Sequence, residues 1–225
     1  MERHFDEELK ELKEKLLHMA SLAEESIVKA IKALVERDKE IAEDVIQSDA
    51  AINFLEIDVD EISLRLMATR QPIATDLRFI TSALKINSDL ERIGDLSVNI
   101  AERTLELIQL PVLKPLLDIP RMAQLAQRMV KDSLDAFVNR DPELARDVCR
   151  RDDEVDMLND QIFRELLTYM IEDPKTITRS VDLILVARHL ERIADHATNI
   201  AEDIVFMVEG KTIKHHIEEK VGEGD

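Results

Sequence analysis

The sequence predicts an all-α protein built from two tandem three-helix bundles related by internal duplication, and three observations predict it. The stretch from Leu90 to Glu102 returns from Leu190 to Glu202, at an offset of 100, with nine of thirteen positions identical. Arg37-Asp38-x-Glu40-x-Ala42-x-Asp44-Val45-x-x-x-Asp49 returns as Arg140-Asp141-x-Glu143-x-Ala145-x-Asp147-Val148-x-x-x-Asp152, at an offset of 103 in a chain of 225 residues. Self-similarity at a fixed spacing marks a repeated structural unit, here close to half the chain. The composition agrees: four Gly, six Pro, 3% aromatic residues and no Trp, with Leu, Ile, Ala, Glu, Asp, Arg and Lys dominant, favour long helices over sheets.

The elements follow from periodicity and punctuation. Leu9, Leu12, Leu16, Met19, Ala23, Ile27, Ala30 and Leu34 step by three or four, the seam of a long amphipathic helix. After a break near Asp38 a second helix turns Ile41, Val45, Ile52, Leu55, Val59, Ile62 and Leu66 inward. Gln71-Pro72 closes it, because proline removes a donor and disfavours helix at the residue before it. A third helix is expected from about Ile73 to Gln109, with Phe79, Ala83, Ile86, Leu90, Ile93, Ile100 and Thr104 along its seam. Pro111, Pro115 and Pro120 form the linker. Helix four is expected from Pro120 to Asn139, and Asp141-Pro142-Glu143 opens helix five as an N-cap, a first-turn proline and an acidic second position. Asp173-Pro174 separates that helix from a sixth, Ile177 to Glu209. The units are thus read as residues 1–118 and 119–209, followed by a polar tail, 210–225, expected to fray.

A formal net charge of −18 with no clustered Lys/Arg stripe argues against nucleic acid and for cations or basic partner surfaces. Cys149 is the only cysteine, so no intramolecular disulfide forms. A basic-then-apolar leader and any run of about 18 apolar residues are both missing, so a cytoplasmic protein without membrane insertion is expected.

The polar residues kept in both copies point to chemistry. Asp49, Asn53, Glu56 and Asp60 share one helical face, as do Glu91, Asp95 and Glu102, with Asn99 at the edge. The second copy offers Asp152, Asp156 and Asn159, then Glu191, Asp195, Asn199 and Glu202. Helices joined by a short turn run antiparallel, so residues equidistant from the turn lie side by side. Asp49 and Asp95 are each 23 residues from Pro72, and Asn53 and Glu91 each 19. Asp152 and Asp195 are 22 and 21 from Pro174, and Asp156 and Glu191 are 18 and 17. Both copies therefore bring oxygen-bearing side chains to one height, roughly 34 Å from the turn at about 1.5 Å per residue.

Converging carboxylates repel, and are normally solvated, partly protonated or neutralised by a cation. A solvated charged face eased by Arg92 and Arg192 is the plain alternative. Retention of the same stripe at the same height in both copies favours metal, and an all-oxygen donor set suits hard cations such as Mg²⁺, Ca²⁺, Mn²⁺ or Fe³⁺. A di-iron carboxylate oxidoreductase or a metal-storage bundle is the rival, but its Glu-x-x-His signature fails here, because Gly94 and Ala194 stand where the imidazoles would be. His196, with Leu96 as its counterpart, reads as a flank residue, and His215 and His216 as part of the frayed tail. Arg70-Gln-Pro-Ile-Ala-Thr-Asp-Leu-Arg78 reads equally as a helix start or a binding element. Glycine-rich phosphate loops, nucleophile elbows and Cys-x-x-Cys pairs are missing, so no catalytic residue is assigned. Met122, Met129, Met157 and Met170 are expected to fill the core.

Arg70-Gln-Pro-x-Ala-x-Asp-Leu-Arg78, Leu-Glu-Arg-Ile-Gly-Asp95 and Leu-Glu-Arg-Ile-Ala-Asp-His-Ala-x-Asn-Ile-Ala-Glu202 together resemble the PhoU family of bacterial phosphate transport accessory proteins, across essentially all of residues 1–209. The resemblance implies two similar three-helix bundles and multinuclear metal clusters, iron above all, held by Glu91-x-x-x-Asp95 and Glu191-x-x-x-Asp195. On the opposing helices Asp49-x-x-x-Asn53 departs from the pattern where Asp152-x-x-x-Asp156 keeps it, so the two clusters are expected to differ. The second copy retains only Pro174 and Arg179 of the Gln-Pro to Asp-Leu-Arg element, and no role of that element is carried there. The resemblance further implies a non-enzymatic, homodimeric negative regulator of phosphate uptake and the phosphate-starvation response, contacting the transporter ATPase subunit and a sensor histidine kinase.

Overall fold

The structure, a computed structural model, describes residues 2–213. Six helices run as α1 (Glu2–Glu36), α2 (Lys39–Arg70), α3 (Ala74–Ile108), α4 (Asp118–Asn139), α5 (Pro142–Glu172) and α6 (Ile177–Glu209), with a 3-10 turn over Pro174–Thr176 and no strand among the described residues. The first three helices pack on one another as one three-helix unit and the last three as the second.

The breaks fall where local chemistry puts them. Asp38 caps α2 by accepting from the Ile41 amide, and Asp141 caps α5 by accepting from Glu143 and Leu144. Gln71 ends α2 in the left-handed region at φ 47° before Pro72. Helix α4 begins at Asp118, two residues earlier than the prolines imply, because Pro120 sits in the first turn, where amides have no helical acceptor to lose. The seams are buried as the periodicity requires, Leu12, Leu16 and Met19 on α1 and Ile86, Leu90 and Ile93 on α3 among them. Met122 and Met129 fill the core, Met170 is half-buried, and Met157 corrects the expectation at 66% exposed, since its side of α5 faces solvent. Gly210, left-handed at φ 72°, caps α6, and Ile213 packs back on the core, so the first residues of the tail do not fray as expected. Residues 214–225, with His215 and His216, lie outside the described residues.

The two units are joined along α3 and α6, which pack antiparallel over much of their length. The contact is polar at its ends and centre: Ser82 donates to the Asp203 carbonyl, Lys85 pairs with buried Asp203 at 3.1 Å, Arg103 reaches buried Asp182 at 3.5 Å, and His196 and Asn199 both meet Asp89. Arg37, at φ 55°, donates to the carbonyls of Leu107, Ile108 and Leu110, tying the end of α3 to the α1–α2 turn. The acidic helices α2 with α3, and α5 with α6, are therefore fixed in register within each unit, and the units are fixed on each other.

Candidate metal centre

In the first unit α2 supplies Asp49, Asn53 and Glu56, and α3 supplies Glu91 and Asp95. Gly94 brings the helices close at this height: a Cβ there would lie 3.0 Å from Ile52 Cδ1 and 3.1 Å from Asp49 Oδ1. Asn53 Nδ2 donates to Asp49 Oδ2 at 2.8 Å, while Asp49 Oδ1 is buried without a hydrogen-bond partner. Burial raises the Asp49 carboxyl above its ordinary value, helped by the Asp95 charge and opposed by the Asn53 bond. Glu91 is raised by burial and by the charges of Asp95, Glu56 and Asp49, against Arg92. Arg92, 56% exposed, lies 3.4 Å from Glu91 and 3.1 Å from Asp95, the one nearby base on this stripe's own helix.

The second unit repeats the arrangement with more charge. Burial, followed by the charges of Asp195 and Asp156, pushes Asp152 up to about 6, against the Thr198 hydroxyl. Asp156 is raised by burial and by Asp195, Asp153 and Asp160. Glu191 is raised by burial, Asp156 and Asp195, with Arg188 and the hydrogen-bonded Asn159 amide pulling the other way. Asp153, Asp156, Met157, Asp160 and Glu191 line an open groove. Asp153 and Asp160 are acids that the sequence reading passed over, although Asp160 stands four residues beyond Asp156, on the same face.

The outer residues separate into those beside the stripes and those elsewhere. Glu56 neighbours Glu91 through charge, and Asp60 accepts from Asn87. Asn159 serves Glu191, and Glu202 stands with Asp152 beside Cys149, whose thiol burial pushes up to about 11. Asn99 is half-buried on α3 and Glu102 is exposed. Asn199 is spent on Asp89 across the α3–α6 contact, as is His196, whose Nδ1 lies 2.8 Å from Asp89.

The structure thus preserves the heights and donor types, and leaves the donors apart: among the described residues no group of three His, Cys, Asp or Glu side chains is gathered so as to hold an ion. The donor chemistry nonetheless fits a hard cation. Every ligand candidate is oxygen, Asp49 Oδ1 has no partner, and burial, with mutual repulsion added to it, raises the carboxylates in both units.

A family model described as the PhoU domain matches twice, over residues 16–104 and 119–204. The chain belongs to the PhoU family. It is 47% identical over 214 residues, 95% of this chain and 97% of its relative, to a phosphate-specific transport system accessory protein PhoU homolog of Aquifex aeolicus, and 41% identical over 207 residues to one of Rhizobium meliloti, covering 92% of this chain and 87% of that one. The crystal structure of PhoU from Pseudomonas aeruginosa superposes with a TM-score of 0.89 at 39% identity, over 92% of this chain and all of that one. The phosphate transport system regulatory protein PhoU of Streptococcus pneumoniae superposes at 0.85 and 32% identity, over 93% and 99%. The two PhoU domain matches fall on the two three-helix units. No helix among the described residues is long and apolar enough to cross a membrane.

Proposed function

We propose that this protein is a non-enzymatic, cytoplasmic negative regulator of phosphate uptake and of the phosphate-starvation response, an adaptor between the ATPase subunit of a phosphate ABC transporter and a sensor histidine kinase, acting as a homodimer. The observation that supports it is near full-length identity of 47% to a relative named as a phosphate-specific transport system accessory protein, in a chain with duplicated acidic stripes and no recognisable catalytic constellation. Two cation sites belong to this reading: Asp49, Asn53, Glu91 and Asp95 in the first unit, Asp152, Asp156, Glu191 and Asp195 in the second. A hard cation, iron by likeness to the family or Mg²⁺, Mn²⁺ or Ca²⁺, supplies the positive charge that the stripes lack. The residues do the rest: α2 and α5 present Asp49 and Asp152 at the height of Asp95 and Asp195, and Asn53 and Asn159 orient neighbouring carboxylates.

Deleting the gene tests the reading. Phosphate-starvation genes are expected to switch on in phosphate-replete cells, and the purified protein is expected to oxidise Fe²⁺ no faster than buffer. Intact repression in the deletion strain, together with multiple-turnover iron oxidation, would decide for the oxidoreductase.

A further inference from the structure

Helix α2 carries two seams. One is the core seam of Ile52, Leu55, Val59, Ile62 and Leu66. The other is Ala50, Phe54, Ile57, Glu61, Leu64 and Ala68, which step 4, 3, 4, 3, 4 and are all exposed, Phe54 at 65%, Ile57 at 57% and Leu64 at 59%. At about 100° per residue this second seam lies opposite the first and about a quarter-turn from the Asp49-Asn53-Glu56-Asp60 stripe. Alternating steps of three and four are the spacing at which one helix receives another, knobs into holes.

The duplication supplies an internal control. At an offset of 103, Ala50, Phe54, Ile57, Glu61 and Leu64 correspond to Asp153, Met157, Asp160, Arg164 and Leu167. Ala68 corresponds to Ile171, so the same face of the second unit keeps exposed Met157, Leu167 and Ile171 but is interrupted by three charges, where the α2 seam carries Glu61 alone.

We propose that the solvent seam of α2 docks a partner helix that is apolar at heptad spacing and basic along its flanks. Charge selects this occupant. The chain has a net charge of −18, and the seam is bordered on its α3 side by Glu56 and Asp60, which are outside the proposed cation ligands. Glu61 within the seam requires a Lys or Arg opposite, since a carboxylate enclosed without a base is costly. A second copy fits poorly: parallel α2 pairing stacks Glu61 on Glu61, and antiparallel pairing that sets Phe54 on Leu64 sets Glu61 on Ile57. The inference deepens the proposed adaptor role by giving the chemical class of one partner element, and it rests on that reading for its biological meaning.

The probe is a fluorescein-labelled helical peptide of about three heptads, with Leu along the seam and Lys on the flanks, read by anisotropy against the full chain. Ile57→Lys and Leu64→Lys change exposed residues, so both variants are expected to fold, as circular dichroism will show. Each is expected to weaken peptide binding at least tenfold, Leu167→Lys on α5 is expected to leave it unchanged, and a peptide with Glu in place of every Lys is expected not to bind. Equal binding to the Ile57→Lys variant, equal binding of the Glu peptide, or a sedimenting dimer that Ile57→Lys splits would overturn the proposal. Peptide failure with derepression in the deletion strain sinks the seam alone; peptide binding with intact repression sinks the regulatory reading alone.

Discussion

Replacing Asp152 by Asn removes a charge that the folded protein holds at a cost. Burial and the neighbouring Asp195 and Asp156 push this carboxyl from 3.8 up to about 6 in the native chain, while in the unfolded chain it titrates near its ordinary value of about 4. Below about pH 4 both states are protonated and no penalty exists; stability then falls as pH rises from about 4 to about 6, and the full penalty persists above that. Two units at about 1.4 kcal/mol each set a ceiling of about 3 kcal/mol, and partial exposure of the side chain reduces this to about 1–2 kcal/mol. Asn keeps the shape and loses the charge, so D152N should be more stable than the unsubstituted chain by about 1–2 kcal/mol at pH 8 in EDTA, with the gain vanishing by about pH 4. Saturating Mn²⁺ should narrow the difference, because occupancy at about a hundredfold above Kd stabilises by about 2.7 kcal/mol and D152N forfeits part of that. Urea denaturation at pH 4, 6 and 8, with EDTA or Mn²⁺, reads all three effects. A D152N protein less stable at pH 8 in EDTA, or equally stabilised by Mn²⁺, would refute the reasoning.

Other perturbations probe other links. Arg103→Ala removes the base beside buried Asp182, whose Oδ2 is already unpartnered; a loss of about 2–3 kcal/mol is expected in thermal unfolding, and less than about 0.5 kcal/mol would show that the inter-unit pair contributes little. Asp141→Ala deletes an N-cap with two amide donors at 3.0 and 3.1 Å, and should cost about 1 kcal/mol, measured by chemical denaturation. Gly94→Ala should change stability little, since a helix propensity gain of about 1 kcal/mol opposes crowding of Ile52. The same methyl displaces the Asp49 carboxylate, so cation affinity at the first site should drop in calorimetric titration while the second site is untouched.

Much of this fold was legible because its signals are local. Asp38 and Asp141 announce helix starts through their own side chains, Pro72 and Pro174 end helices through a missing donor, and a seam such as Leu12-Leu16-Met19 needs only helical period. The register behind the candidate site was open to counting for a different reason: a short turn makes antiparallel helices match residue by residue, which set Asp49 near the height of Asp95, whose charge reaches it, although no ion-holding cluster is gathered there among the described residues. What escaped was tertiary. Pairing of α3 with α6 depends on contacts between copies, so the engagement of His196 and Asn199 with Asp89, and the burial of Asp182 and Asp203, leave no trace in local period. Met157 misled because an apolar residue at helical spacing can lie on the solvent side, as the second seam of α2 also demonstrates. The close approach at Gly94 was hidden because a single glycine within a helix does not say what faces it.

The central claim is that the duplicated acidic stripes are cation sites. It is tested most directly by elemental analysis of protein purified from native cells, beside a variant in which Glu191 and Asp195 are both Ala. The account predicts that the variant loses the metal of the second unit, retains that of the first, and keeps its helical circular dichroism. An unchanged metal-to-protein ratio in the folded variant would contradict it.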